Sequence, residues 1–162
     1  MADRPTYAHL PYRPCAGLML LNPRGEIFVG CRIDHTAEAW QMPQGGIEPD
    51  EAPAVAVLRE MKEEIGTDHA EILAETPGWL NYDLPDELVP KVWRGRYRGQ
   101  TMKWFALRFL GADADIDIAT DHAEFMAWKW MRPEEVLTAI VPFKRAIYGA
   151  VFQEFAPLLR RP

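Results

Sequence analysis

The chain has 162 residues, of which 48% are hydrophobic and 26% charged, and a net charge of −6. Those numbers fit one soluble domain able to build a sizeable core, and the acidic balance argues against indiscriminate nucleic-acid binding through bulk electrostatics. Fourteen prolines and eleven glycines point to a loop-rich design rather than a helical bundle, and no apolar stretch approaches the roughly twenty residues needed to cross a membrane.

The N-terminal MADRPTYAHLPYRP is polar and proline-broken, without the apolar core of a signal peptide, so a cytoplasmic location is expected. AGLMLL at 16–21 is a continuous apolar run suited to a buried strand. NPRG then reads as a turn and EIFVGCR as a returning strand. Cys15 and Cys31 lie in apolar surroundings without metal-like spacing and are expected as buried, reduced thiols. WQMPQGGIEPDE reads as a structured loop. Residues 53–65 read as a helix, with Pro53 in its first turn and Gly66 just past its end. A long section from about 76 to 100, rich in Pro, Gly and aromatics, precedes the strand KWFALRFL. FMAWKWM alternates as another strand, with Met126, Trp128 and Trp130 on one face. Pro133 and two glutamates open a helix in RPEEVLTAIV, and Phe143, Ile147, Val151 and Phe155 recur every four residues in a last amphipathic helix ending near Pro157. The expected fold is α/β (α+β), a mixed sheet with helices on its faces, in one domain over 1–162 with its core at about 12–158.

Two features stand out electrostatically. From Lys91 to Arg108 there are six basic residues (Lys91, Arg94, Arg96, Arg98, Lys103, Arg108) and no acidic ones, a local basic loop in an acidic chain. In REMKEEIG, Glu60, Glu63 and Glu64 fall within five residues. On a helical wheel Ala54, Val57, Leu58, Met61 and Ile65 share the core arc, and the three glutamates fill the arc beside it. Like charges three and four residues apart repel, and the dipole at a helix C-terminus disfavours carboxylates. Arg59 and Lys62 give partial relief if the face is merely solvated. A divalent cation such as Mg²⁺ or Mn²⁺ relieves both problems.

The stretch GGIEPDEAPAVAVLREMKEEIGT resembles the Nudix box: Gly, five residues, Glu, seven residues, Arg-Glu, an aliphatic, one residue, Glu-Glu, one residue, Gly, an aliphatic. Gly45, Glu51, Arg59, Glu60, Met61, Glu63, Glu64 and Gly66 fall in place, and Thr67 stands where an aliphatic is usual. That last position packs rather than reacts. The resemblance implies the Nudix fold, a mixed sheet sandwiched between helices, and hydrolysis of a pyrophosphate bond in a nucleotide-like substrate. It implies Glu60, Glu63 and Glu64 as metal ligands, and Glu51 and Arg59 as the residues joining loop to helix, with Arg59 orienting Glu63. Non-catalytic binders on this fold usually lack box carboxylates, and this chain keeps them all.

The flanks PYRPCAGLMLLNPRGEIFVGCR, WQMPQGGI, WLNYDLP, GQTMKWFALRF, EFMAWKW and VPFKRAIYGAVFQEF, which span Tyr12 to about Leu158, are similar to the bacterial RNA pyrophosphohydrolase and dinucleoside polyphosphate hydrolase group. That similarity implies Glu124 as a further metal ligand or general base, Phe143 and Lys144 as the lining of a base pocket, and Arg13 and Arg32 as arginines beside it. Read without the resemblance, both arginines also suit surface ion pairs, Phe143 suits the first core position of the last helix, and Glu124 suits a solvated loop. Lys103 and its basic neighbours suit phosphates or a solvated surface equally. His9, His35, His69 and His122 share no ligand spacing. Two or three Mg²⁺ or Mn²⁺ ions would work with substrate bound, and Glu124 and Glu60 are both candidates for the base. The expected substrate is the 5′-triphosphate end of RNA, or else a dinucleoside polyphosphate such as diadenosine tetraphosphate. Trp79, Tyr82, Trp93 and Tyr97 suit a second stacking platform for the latter. Neither a membrane nor DNA is an expected partner, and the expected state is a monomer or weak homodimer.

Overall fold

The computed structural model describes residues 7–33 and 39–159; residues 1–6 and His35, on which parts of the sequence reading fall, lie outside them. Eight strands run in the order β1 (Tyr12–Leu21), β2 (Ile27–Arg32), β3 (Trp40–Gln41), β4 (Gln44–Gly46), β5 (Ala70–Glu75), β6 (Leu80–Asp83), β7 (Gly99–Phe109) and β8 (Phe125–Met131). Among the described residues, three α-helices longer than a few residues accompany them: α1 (Pro53–Ile65) between β4 and β5, then α2 (Pro133–Ala139) and α3 (Arg145–Glu154) after β8. The strands form one mixed sheet with the central order β3-β2-β1-β7-β5.

β1 organises the sheet. It runs parallel to β7 in unbroken register from Tyr12 opposite Gly99 to Leu21 opposite Arg108. Its middle, Cys15 to Gly17, pairs antiparallel with β4, and its far end meets β2. β5 and β6 pair with the other edge of β7, while β8 pairs with β2. A strand covered on both faces must be apolar at successive positions, which is why AGLMLL shows no alternation. Alternate β1 residues feed different cores. Cys15, Met19 and Leu21 pack with Val136, Ile147, Tyr148, Val151 and Phe155 of α2, α3 and the turn after α3. Ala16, Leu18 and Leu20 pack with Val57, Met61 and Ile65 of α1. Each fully buried Leu, Met or Phe contributes about 1.5–3 kcal/mol. The expected sandwich of helices about a mixed sheet is what forms.

Helix α1 has the expected bounds, with Pro53 in the first turn and Gly66 in the left-handed conformation at φ 82°. The core face is rotated from the one expected. Ala54 is exposed, and Ala56, Glu60 and Glu64 are buried with Val57, Met61 and Ile65. The helix lies against β4 as well as β1, and the glycines of β4 leave room for its carboxylate side. WQMPQGGIEPDE, expected as a loop, contains β3 and β4, because Gly30, Cys31 and Cys15 to Gly17 supply distant backbone partners. Of the basic stretch, Lys103 and Arg108 lie on β7, within the strand read from KWFALRFL, and β7 begins earlier, at Gly99. Trp128 stacks on Phe28 at 5.5 Å and Trp130 meets it edge-on at 6.1 Å, whereas Met126 on the same strand is 58% exposed. The last helix ends at Glu154, and a further helical turn, Ala156–Leu159, runs past Pro157. Both thiols are free and buried. Among the described residues, no helix is long and apolar enough to cross a membrane.

Gly66 meets two demands at once: its positive φ ends α1, and an added Cβ would lie 2.6 Å from the Asp117 carbonyl oxygen. Gly66→Ala is expected to lower the unfolding free energy by about 1–2 kcal/mol from the left-handed backbone alone, read as a drop in the urea midpoint. An unchanged midpoint would show that the helix end is not held as described.

Candidate active site

Arg59 is the hub of the carboxylate helix. Its Nε and Nη2 donate to the two oxygens of Glu51 at 2.7 and 2.8 Å, a bidentate pair. Nη2 also donates to the Gly46 carbonyl at 2.9 Å. Nη1 donates to Glu60 Oε1 at 2.9 Å and to Glu63 Oε2, one turn on, at 3.2 Å. One guanidinium thereby joins the loop before α1, strand β4 and two helix carboxylates. Glu51 also accepts the Glu48 N–H at 3.0 Å. The Arg59 hydrogen bonds, with that N–H, hold its carboxyl down at about 2.

Glu60 and Glu64 point inward. Burial pushes the Glu60 carboxyl up, against the pull of Arg59. Burial raises Glu64 well above the usual carboxylate range, and the charges of Glu60 and Glu124 add to it. Glu64 Oε2 is buried without a hydrogen-bond partner. Glu124 arrives from the turn before β8: its carbonyl accepts the Ile33 N–H at 3.0 Å, and its carboxylate lies 3.4 Å from Arg32 Nη2. Among the described residues, no three acidic, histidine or cysteine side chains are already gathered as a metal-ligand set. Arg59 occupies one oxygen each of Glu60 and Glu63, and Arg32 is beside Glu124.

The two glycines of β4 explain how opposite charges meet across the sheet. Successive strand residues face opposite sides. A Cβ on Gly45 would fall 2.0 Å from the Glu60 carboxyl carbon, and one on Gly46 would fall 2.4 Å from Arg13 Nη2. The Gly-Gly pair is a thin wall, with Glu60 against one face and Arg13 against the other. Arg13 Nη1 donates to Cys15 Sγ at 3.2 Å, and the guanidinium lies 5.2 Å from the Trp93 ring centroid. On the Arg13 side, Phe143 packs 6.0 Å from the Tyr82 ring, and Lys144, itself buried, has its Nζ 5.8 Å from the same ring. Phe143 is partly buried and packs against the core, as its reading without the resemblance has it. Lys103 lies on the Glu60 side: Gly45 is opposite Ala16, and Ala16 is opposite Lys103, two strand spacings or about 10 Å away. Its Nζ is 3.8 Å from Glu75. Arg98, counted with the basic loop, is instead held by Asp83 at 2.7 Å and the Ala8 carbonyl at 3.1 Å.

Gln44 and Gln100 carried no sequence signal, and Tyr82, read as part of a second stacking platform, is buried beside them. Gln100 accepts from Gln44 Nε2 at 2.7 Å and from the Tyr82 hydroxyl, and donates to Cys15 Sγ at 2.8 Å. Burial pushes the Cys15 thiol up to about 11 despite Arg13, so it stays a neutral acceptor. Only the pairing of β1 with β4 and β7, and of β6 with β7, brings these four residues together. A separate depression of about 640 Å³, lined by Leu21, Arg24, Leu73, Arg108 and Phe109 among others, lies at the other end of β1 and shares none of the residues above.

The α1 carboxylates, the Arg59 fork and the Gly45–Gly46 wall on a mixed sheet between helices define a class: the chain belongs to the Nudix family, whose NUDIX domain matches residues 11–151. It is 57% identical to the RNA pyrophosphohydrolase of Roseobacter denitrificans over 91% of this chain and 94% of that protein. Against the RNA pyrophosphohydrolase of Rhodospirillum rubrum the identity is 56%, over 92% of this chain and 90% of that protein. The solved E. coli dihydroneopterin triphosphate pyrophosphohydrolase superposes with a TM-score of 0.70 at 19% identity, over 88% of this chain and 96% of that one, a likeness of fold.

A carboxyl raised in the folded chain binds more protons there than when unfolded, so it destabilises as pH rises above its ordinary 4.5. Glu64→Gln is expected to raise the melting temperature in EDTA at pH 8, with the gain shrinking as pH falls to 4.5 and below. Glu51→Gln has the opposite sign: the stability that Glu51 provides is present above its ordinary 4.5 and lost as pH falls toward about 2. Melting curves across pH check both, and a Glu64→Gln chain less stable at pH 8 would contradict the first.

Proposed function

We propose that this chain hydrolyses the pyrophosphate bond at the 5′-triphosphate end of RNA and leaves a 5′-monophosphate. The carrying observation is the buried, unpartnered Glu64 oxygen amid the charges of Glu60, Glu124 and Glu63. Relatives above 50% identity over nearly the full length, named RNA pyrophosphohydrolase, support the substrate.

The residues present fit a divalent ion. Hard cations take carboxylate oxygens, and Glu64 Oε2 with the second oxygens of Glu60 and Glu63 lies outside the Arg59 fork. Glu60, Glu63, Glu64 and Glu124 would hold about two or three Mg²⁺ or Mn²⁺ ions, which supply charge neutralisation of the phosphates and acidify water. The chain's own residues do the rest. Arg59 aims Glu60 and Glu63 through its Nη1 hydrogen bonds. Glu124 or Glu60 accepts the proton of the attacking water. Arg13, Arg32 and Lys103 bind phosphate oxygens, and Phe143 with Lys144 receives the first base. Positioning and electrostatics supply most of the rate, as for phosphoryl transfer generally. A cytoplasmic location and a monomer or weak homodimer belong to the same proposal.

A dinucleoside polyphosphate is the second reading, favoured by one observation: Trp93 meets Tyr97 edge-on at 6.2 Å beside Arg13, a half-buried aromatic pair against which a second nucleoside would stack. Turnover of 5′-triphosphate RNA and of diadenosine tetraphosphate at matched concentrations with Mg²⁺ separates the two. Faster formation of 5′-monophosphate RNA supports the first; preference for the dinucleotide, giving ATP and AMP, replaces it with the second. Glu63→Gln is expected to cut RNA turnover on the order of a hundredfold or more while binding persists; full activity in that variant would indicate a different site. Millimolar Mg²⁺ or Mn²⁺ is expected to raise the melting temperature of the wild type, and no shift would count against the four glutamates as ligands.

A further inference from the structure

Nothing in ATDHAE, which precedes β8, marks a role for Thr120. The structure places it at a junction. The last turn of a helix leaves its carbonyls without intrahelical donors. In α1, Lys62 O accepts from the Gly66 N–H at 3.0 Å, Ile65 O from the Asp117 N–H at 2.7 Å, and Glu63 O from the Thr120 hydroxyl. The close approach of this segment depends on Gly66, where a side chain would meet Asp117. Thr120 also uses its backbone: its carbonyl accepts the Ala123 N–H at 3.2 Å and closes the turn that delivers Glu124. One residue thus bonds the helix end bearing Glu63 and Glu64 and shapes the turn bearing Glu124.

We propose that Thr120 is a positioning residue, whose hydroxyl locks the Glu124 turn onto the C-terminal end of α1 and so sets the distance of Glu124 from Glu63 and Glu64. This rests on the reading of those glutamates as a divalent-ion site. Without the hydroxyl, the Glu63 carbonyl turns to water and the turn loses its side-chain tie to the helix. The helix itself keeps its backbone bonds at Lys62 and Ile65, so the effect falls on the relation between the carboxylates rather than on α1.

The test compares Thr120→Val, which keeps the shape and loses the donor, with Thr120→Ser, which keeps the donor. Thr138→Val is the control, because Thr138 makes the same kind of hydroxyl-to-carbonyl bond to Glu134 at 3.4 Å in α2, across the sheet from α1. Mn²⁺ binding without RNA is read by electron paramagnetic resonance and by the Mn²⁺-induced rise in melting temperature, which a chain loosened by substitution still reports. Release of pyrophosphate from 5′-triphosphate RNA is measured alongside. Thr120→Val is expected to bind Mn²⁺ about tenfold more weakly, with Thr120→Ser close to wild type and Thr138→Val unchanged. Equal Mn²⁺ binding by the Val and Ser variants, or an equal loss in Thr138→Val, would overturn the role of Thr120 alone. A wild type that binds no Mn²⁺ would overturn the glutamate site and this inference with it.

Discussion

Arg59 presents five donors in a rigid plane, and its acceptors come from three parts of the chain: Glu51 in the loop before α1, the Gly46 carbonyl in β4, and Glu60 and Glu63 on α1 itself. A lysine has no fork with which to meet that geometry. The arginine offsets the repulsion between neighbouring glutamates at the helix end where the dipole gives no help. It also fastens α1 to the edge of β4, and that fastening turns Glu60 and Glu64 into the protein instead of out to water. The cost of burying Glu64 is left standing, in an oxygen with no partner. A protein built only for stability would have neutralised that position; here the uncompensated charge is what a cation would bind.

Backbone thinness matters as much as charge. Gly45 and Gly46 let a carboxylate and a guanidinium press on opposite faces of one strand, each too close for a side chain to intervene. Glu60 and Lys103 consequently share the α1 side of the sheet, while Arg13, Tyr82, Phe143 and Lys144 gather on the other. In the proposed reading, a polyphosphate with a nucleoside at one end would span that wall, with reaction on the α1 face of the sheet and recognition on the other.

Trp93 and Arg94 add a local tension on the Arg13 side of the sheet. Both adopt left-handed backbone, at φ 48° and 59°, ahead of Gly95 at 70°. Such conformations cost energy in residues with a Cβ and persist when their surroundings hold them. Here the contact of Trp93 with Arg13 and Tyr97 does so.

Much of this was legible in the sequence, because the signals were local. Pro53 and Gly66 bound α1, a continuous apolar run marked β1, and four-residue spacing marked α3; each depends on periodicity or on the backbone limits of one residue. The spacing of Gly45, Glu51, Arg59, Glu60, Glu63, Glu64 and Gly66 carried the family. What the tertiary structure alone decided was set by pairings between distant residues. Ala54 and Glu60 exchanged places between surface and interior because α1 packs on glycines that a helical wheel does not include. QGG became a strand, and β7 began at Gly99 rather than at Lys103, because β1 offered both its edges. Gln100, Cys15, Gln44 and Tyr82 form one network, and Thr120 reaches Glu63, only once strands and turns far apart in the chain are in register. Local patterns decide elements, since they report the energetics of a few adjacent residues; which side chains share a site is decided by packing, which no single stretch contains.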